Sequence, residues 1–267
     1  MFLNKYYFKI KYNYFKNRHN NKFISSLTQI FMQSKVINFS FLLLLVVSIV
    51  SCNEKAKEIV DSRNPYNLDL ITSFEDYKKN IETNPDNELV MLDTIIPDAR
   101  FDIRYATINN FTGEIIYPAE KAYVRKSVAA ALVKVQTELD SLGYTLIIYD
   151  AYRPYSASLK FYEVYPDTNF VAAPWLGSRH NRGCAVDVSI ADKFTGLEIE
   201  MPTLFDDFSE KANPEYKDLP ETAVNNRSML IEIMSKYGFK VYPTEWWHFD
   251  FSGWENFDLM DIHFEEL

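Results

Sequence analysis

Cysteine is scarce in this sequence: the 267 residues include only Cys52 and Cys184, which excludes a disulfide framework. Internal repeats and low-complexity runs are also absent from the sequence. Hydrophobic residues make up 47% of the chain and aromatic residues 16%, so a folded core is expected and disorder throughout is excluded. The length allows one large domain or two small ones.

Basic side chains are few outside the first 51 residues. Positions 1–51 carry seven lysines and arginines and no acidic residue. Removing those seven from the total of 28 leaves 21 basic against 37 acidic residues, a formal net charge of −16. A surface this acidic repels nucleic-acid phosphates, so we expect no nucleic-acid partner.

An apolar run occupies positions 39–50 and is interrupted only by Ser40 and Ser48. It falls short of the roughly 20 residues of a permanent membrane-spanning helix and fits the hydrophobic region of an export signal. The run ends in Ile-Val-Ser-Cys, which resembles the lipobox of bacterial lipoproteins. We therefore expect acylation of Cys52 and an exported, membrane-anchored protein on the periplasmic or surface side. An uncleaved membrane helix that happens to end in cysteine is the alternative.

The chain divides into three parts on this interpretation. Residues 1–52 are an N-terminal extension with a lipoprotein-type signal peptide, residues 53–66 a tether, and residues 67–267 the folded domain. Met32 would give a signal of ordinary length, so residues 1–31 are expected to be a mis-assigned start or an unusually long leading region.

Hydrophobic periodicity predicts helices and short strands within the folded domain. Apolar residues recur at helical spacing from Val128 to Leu142 and from Leu230 to Tyr237, and a glycine follows each set. Shorter helices are predicted near Ser73–Ile81 and Ser156–Tyr165, strands at Leu89–Ile96, Phe101–Tyr105, Tyr144–Tyr149, Ala185–Ile190 and Phe239–Tyr242, and loops at 166–178 and 202–220. This pattern predicts a single α+β domain, with helices packed on a mainly antiparallel sheet.

Histidine is scarce too, and two of the four histidines, His180 and His248, each stand close to carboxylates. Two imidazoles and one carboxylate can hold a zinc ion with one position open for water, while a second carboxylate handles protons. Glu245 and His248 are three residues apart, so in a regular strand they would face opposite ways and need a turn or bulge to share a site. For each histidine singly, a structural hydrogen-bonding role is the alternative.

The segment Ser178–Asp187 has the sequence Ser-Arg-His-Asn-Arg-Gly-Cys-Ala-Val-Asp. It resembles the SxHxxGxAxD signature of the D-alanyl-D-alanine dipeptidases (VanX type, peptidase family M15) and of the wider zinc D,D-peptidases. Glu-Trp-Trp-His at 245–248 resembles their ExxH motif. Further segments resemble dipeptidase segments in the same order: Tyr-Ala-Thr at 105–107, Asn-Phe-Thr-Gly at 110–113, Asp-Ala-Tyr-Arg-Pro at 150–154 and Phe-Asp at 205–206.

The resemblance implies one Zn²⁺ per chain, held by His180, Asp187 and His248. It also implies that Glu245 is the general base, which takes a proton from the attacking water and passes it to the leaving amine. Cys184 lies within the first motif, but strand alternation places it on the face away from Asp187, so we do not expect it to bind the metal.

Four further roles follow from the resemblance. Arg153 would stabilise the developing oxyanion, and a buried ion pair with Asp150 is its alternative role. Tyr105 and Asp206 would hold the free ammonium of the dipeptide, and Ser178 its carboxylate end. Ordinary aromatic packing is the alternative for Tyr105, and an exposed loop position is the alternative for Asp206.

The predicted activity is zinc-dependent hydrolysis of the dipeptide D-Ala-D-Ala. Because the best-known VanX proteins act in the cytoplasm and this chain carries an export signal, turnover or scavenging of wall peptides fits better than antibiotic resistance. The first alternative is a D,D-carboxypeptidase acting on longer peptidoglycan peptides, which would need an open cleft. The second is a wall-binding module that keeps zinc without turnover, for which Glu245 and Arg153 would be unnecessary.

Overall fold

The computed structural model describes residues 62–267 of the chain. The predicted signal peptide, Cys52 and most of the predicted tether lie outside the described residues. Within this range, no helix is long and apolar enough to cross a membrane.

Helices and strands alternate along the described part of the chain. The α-helices are α1 (Phe74–Thr83), α2 (Leu92–Ile95), α3 (Lys126–Ser141), α4 (Tyr155–Val164) and α5 (Glu221–Lys236). The strands are β1 (Leu70–Ile71), β2 (Leu89–Met91), β3 (Arg100–Phe101), β4 (Tyr123–Arg125), β5 (Tyr144–Asp150), β6 (Ala185–Asp192), β7 (Phe239–Tyr242), β8 (Glu245–Phe251) and β9 (Leu259–Met260). The prediction of a fold that mixes helices and strands is confirmed.

The main sheet has five strands in the order β3-β5-β6-β8-β7. Three of its pairings are antiparallel, whereas β3 pairs parallel to β5. The chain runs through α3 between these two strands and so can return in the same direction. The remaining four strands form two two-stranded sheets: β2 pairs antiparallel with β4, and β1 pairs parallel with β9. The predicted mainly antiparallel sheet is therefore found only in part.

The central strand β6 is buried along almost its whole length, on both faces. Val186, Val188 and Ile190 point into the hydrophobic core. On the other face Asp187 lines a cavity and Ser189 donates a hydrogen bond to Glu198. Both faces of β6 are therefore buried, one in the core and the other beneath the cavity at Asp187.

The two long helices form as their periodicity predicts. Val128, Leu132 and Leu139 are buried on α3, and Leu230, Ile233 and Met234 on α5. Gly143 and Gly238, at φ of +83° and +90°, follow the helix ends in the left-handed conformation that glycine adopts without steric cost.

Two predicted strands are shorter than expected. Leu89–Ile96 is a strand only as far as Met91, and the rest is α2, because β4 offers just three residues for pairing. Phe101–Tyr105 gives way after Phe101 to a 3-10 turn at Arg104–Ala106, which buries Tyr105 to 2% exposure.

Candidate metal centre and active site

Three candidate metal ligands converge although they lie far apart in the chain. Asp187 on β6 is directly opposite His248 on β8, and His180 lies on a 3-10 turn just before β6. One donor atom from each of the three lies within 4.8 Å of the others. Gly183 makes the turn possible: its φ is +69°, and a Cβ there would stand 2.7 Å from Leu89 Cδ2.

Hydrogen bonds on the outer side of each imidazole fix which nitrogen faces inward. His180 Nδ1 lies 2.7 Å from the Ala151 carbonyl oxygen, and His248 Nε2 lies 3.0 Å from Asp250 Oδ1. Because both partners are acceptors, these outer nitrogens carry the protons. The inner nitrogens, His180 Nε2 and His248 Nδ1, are then free to act as metal ligands.

The inner atoms form a group of acceptors that face one another. His180 Nε2 is 3.1 Å from His248 Nδ1, and Asp187 Oδ1 is 3.0 Å from His248 Nδ1 and 3.4 Å from His180 Nε2. Asp187 Oδ1 is buried and has no hydrogen bond of good geometry within the described chain. Acceptors held together in this way need a cation between them, and two imidazoles with one carboxylate fit zinc.

The pKa of His248 also indicates that its surroundings favour positive charge. Burial alone would lower the pKa of His248, but the adjacent carboxylates of Asp187 and Asp250 raise it to about 10. The two carboxylates therefore favour positive charge next to His248, as a bound cation would provide.

Glu245 reaches the same site through an irregularity between β7 and β8. Val241 pairs with Phe249 whereas Tyr242 pairs with Glu245, so the register shifts between them. Glu245 Oε2 consequently lies 3.9 Å from His248 Nδ1, on the cavity side, which is the irregularity the spacing requires. Burial raises the pKa of Glu245 to about 8.

Arg153 is buried to 7% exposure and takes part in an ion pair as well as in the cavity wall. Its Nε and Nη2 donate to Asp150 Oδ2 at 2.9 and 2.7 Å, and Nη2 is 3.7 Å from Asp187 Oδ2. Tyr117 Oη donates to the other oxygen of Asp150 at 2.8 Å. The ion pair foreseen as an alternative role is therefore present, and it fixes the guanidinium at the cavity.

Tyr105 and Asp206 are joined at one end of the cavity. Tyr105 Oη donates to Asp206 Oδ1 at 3.0 Å, while Asp206 Oδ2 is buried with no hydrogen-bond partner among residues 62–267. Asp206 has a φ of +62°, an unfavourable conformation for a residue with a side chain. Burial, reinforced by Asp187, raises the pKa of Asp206 to about 7. The exposed-loop alternative for Asp206 is wrong, whereas Tyr105 also packs on Phe161 at 4.4 Å between ring centroids.

Ser178 is 5% exposed and contributes both to the cavity and to the turn that carries His180. Its Oγ accepts a hydrogen bond from the His180 backbone N–H at 3.2 Å. Because this contact uses a lone pair, the hydroxyl proton remains available to a ligand.

One cavity of about 580 Å³ unites the predicted site. All eight predicted metal, catalytic and substrate residues line it: Tyr105, Arg153, Ser178, His180, Asp187, Asp206, Glu245 and His248. Cys184 does not, and burial raises the pKa of its thiol to about 12.

The sequence interpretation missed two supporting residues, Asp250 and Tyr117. Asp250 was detectable, because it lies two residues after His248 and so shares its face of the strand. Tyr117 comes from an irregular loop, whose position no local pattern indicates.

Comparisons with known proteins show the family to which the chain is similar. The family model described as "D-ala-D-ala dipeptidase" matches residues 85–265. A D-alanyl-D-alanine dipeptidase of Escherichia coli K12 is 33% identical over 177 residues, which cover 66% of this chain and 91% of the relative. Its counterpart in Enterococcus faecalis V583 is 30% identical over 184 residues, 61% of this chain and 91% of the relative.

A solved structure, VanYB in complex with D-alanine-D-alanine, is 18% identical and covers 52% of this chain and 76% of its own. Its TM-score of 0.35 is too low to support an inference.

Proposed function

The chain belongs to the D-Ala-D-Ala dipeptidase family of M15 peptidases and is a metallopeptidase; from this premise we propose that it is a zinc enzyme that hydrolyses D-Ala-D-Ala. The observation that carries the proposal is the group of facing acceptors, His180 Nε2, Asp187 Oδ1 and His248 Nδ1. The chemistry of these donors suits zinc and leaves room for a further ligand. A zinc ion held there would supply Lewis acidity that activates water and polarises the peptide carbonyl.

Glu245 is the proposed general base. Its carboxylate lines the cavity next to His248 and is buried, with a pKa raised to about 8. A carboxylate with a pKa near the working pH can take a proton from the attacking water and return it to the leaving amine.

Arg153 is the proposed oxyanion stabiliser. Asp150 fixes its guanidinium through two hydrogen bonds, so little reorganisation is needed when negative charge develops on the scissile carbonyl. The charge remains on the arginine because Asp150 and the other neighbouring acidic groups together raise its pKa, despite the opposing effect of burial.

The proposed substrate spans the cavity between two polar ends. The buried, unpartnered Oδ2 of Asp206, supported by Tyr105, provides an acceptor for the free ammonium of the dipeptide. Ser178 offers a hydroxyl donor to its carboxylate.

Neither alternative activity gains support. The relatives matched over most of their length bear the name dipeptidase, so a D,D-carboxypeptidase is not favoured. A wall-binding module would need neither a buried Glu245 nor a fixed Arg153 at the cavity.

The test combines metal content with product release. The purified enzyme is expected to contain one zinc per chain and to release D-Ala from D-Ala-D-Ala. His180→Ala should lose both, because two remaining protein ligands rarely hold zinc at an open site. His263→Ala, an exposed histidine outside the cavity, is the matched control and should keep both. Full zinc occupancy in His180→Ala would remove that residue from the ligand set.

For location, we propose a lipoprotein anchored through Cys52 that acts on wall-derived dipeptides. The lipobox-like Ile-Val-Ser-Cys sequence supports this. Two or more acyl chains would anchor it firmly, at about 0.8 kcal/mol per buried CH₂. Mass spectrometry of membrane-extracted protein should find an acylated N-terminal Cys52, and Cys52→Ser should no longer fractionate with membranes. An unmodified chain retaining the upstream residues would contradict this location.

A further inference from the structure

Three phenylalanines, Phe111, Phe170 and Phe208, form an aromatic wall along the substrate cavity. The Phe208 ring is central to it. Its centroid lies 5.2 Å from that of Phe111 and 5.1 Å from that of Phe170, with the Phe170 ring nearly parallel at 27°. Contacts of this kind hold aromatic side chains in fixed positions.

The aromatic wall adjoins the end of the cavity proposed to hold the substrate ammonium. Phe111 packs against Tyr105 at 6.1 Å between centroids, and Tyr105 donates its hydroxyl proton to Asp206. Phe208 follows Asp206 by two residues. A substrate amino group at Asp206 therefore faces this wall.

A second cavity, of about 630 Å³, adjoins two of the same rings. Phe170 and Phe208 line both cavities, so they form the partition between them. The rest of the second cavity is largely polar and includes Glu210 and Glu215. Its volume falls within the range of ordinary ligand pockets.

We propose that the aromatic wall is the specificity-determining element that restricts this enzyme to dipeptides. This inference rests on the proposed function. A residue joined to the substrate amino group would have to pass through the position of the Phe208 ring to reach the second cavity. The wall thus excludes longer peptides sterically, in addition to the loss of the ammonium charge that Asp206 would bind.

The test is a change of substrate preference in Phe208→Ala. The probe is L-Lys-D-Ala-D-Ala, whose amines suit the glutamates of the second cavity, and chromatography measures free D-Ala from it and from D-Ala-D-Ala. The ratio of kcat/KM for tripeptide to dipeptide should rise at least roughly ten-fold, within the range by which pocket shape usually discriminates. Phe208→Leu, which keeps most of the volume, should stay near the wild-type ratio.

The control is Phe194→Ala, which removes a phenylalanine that is 92% exposed and outside both cavities. It should leave the ratio unchanged. If Phe208→Ala does not fold, Phe170→Ala removes the other ring of the partition and carries the same expectation.

Three results would overturn the proposal. A wild-type enzyme that cleaves both substrates equally well would show that the wall excludes nothing. A folded Phe208→Ala variant that keeps dipeptidase activity without gaining tripeptide cleavage would contradict the proposed role of the aromatic wall. It would leave the proposed function intact. Absence of D-Ala-D-Ala cleavage in zinc-loaded wild type would contradict the proposed function, and with it any selection for dipeptides.

Discussion

Two buried arginines, Arg153 and Arg125, lie in different regions and have different kinds of partner. Arg153 lies at the cavity, is paired with Asp150, and has Asp187 within 3.7 Å. Arg125, at the end of β4, is 0% exposed and has no carboxylate ion pair among residues 62–267. Its guanidinium donates to the backbone oxygens of Arg182 and Asp258 at 2.7 and 3.1 Å, and to that of Asn87.

We call the surroundings of Arg153 the site region and those of Arg125 the anchor region, because the partners of the two arginines indicate different roles. The hydrogen bonds of Arg125 go to neutral acceptors in three separate segments, so its donors hold those segments together and none is directed to a ligand. Burial accordingly lowers the pKa of Arg125. For Arg153 burial is also the largest single effect, but Asp150, Tyr117, Tyr105 and Asp187 together exceed it and raise the pKa. Substitutions in the site region should therefore change activity, and those in the anchor region stability.

The largest effect is expected for Glu245→Gln, in the site region. Removing the proposed general base should lower kcat by roughly 10²- to 10⁴-fold, while zinc content and melting temperature stay near wild type. Steady-state kinetics, elemental analysis and calorimetry measure the three quantities. If Glu245→Gln lost zinc or stability to a similar extent as activity, Glu245 would be structural. This would contradict the distinction between the site region and the anchor region.

Replacing each of the two arginines with methionine tests the distinction between the two regions directly. Arg125→Met should lower the free energy of unfolding by on the order of 3 kcal/mol, because buried carbonyls lose donors at about 1–3 kcal/mol each. In the fraction that remains folded, kcat should change little. Denaturant titration and kinetics at low temperature measure the two effects.

Arg153→Met is the matched counterpart. It should lower kcat by roughly 10²- to 10³-fold with zinc retained, since the proposed fixed donor to the oxyanion is lost. If Arg153→Met mainly reduces stability and leaves kcat intact, its pair with Asp150 is structural and the two arginines are alike.

A smaller effect in the site region depends on pH. The pKa of Asp206 is raised to about 7, so the carboxylate becomes protonated as pH falls through 7 and can no longer pair with the substrate ammonium. KM for D-Ala-D-Ala should therefore rise below pH 7, by up to about ten-fold per pH unit. Asp206→Asn should have a high KM without this pH dependence. A wild-type KM that is flat between pH 6 and 8 would exclude Asp206 as the ammonium partner.

The smallest effect is expected at Cys184, beside the anchor. Burial raises the pKa of its thiol to about 12, so almost no reactive thiolate forms at neutral pH. In a Cys52→Ser background, a thiol reagent should label Cys184 only after unfolding. Cys184→Ala should keep zinc content and kcat within about two-fold of wild type. Rapid labelling of the folded protein, or loss of zinc in Cys184→Ala, would show that this thiol reaches the metal site.

Local sequence determined the elements whose pattern is complete within a few residues. The apolar spacing of α3 and α5 and the glycines after them specify two helices and their ends, because side-chain periodicity and a left-handed glycine are local properties. The residue types and spacing of Ser178–Asp187 and Glu245–His248 likewise identified the side chains that meet at one cavity.

Tertiary structure decided everything that depends on partners far away in the chain. The pairing of β6 with β8 sets Asp187 opposite His248, and a register shift against β7 brings Glu245 to their side. The short β4 partner turned the end of a predicted strand into α2. Hydrogen bonds donated to the Ala151 carbonyl oxygen and to Asp250 select the imidazole nitrogens that face the proposed metal position. Register and hydrogen-bond partners form only when distant segments pack together, so no local pattern in the sequence contains them.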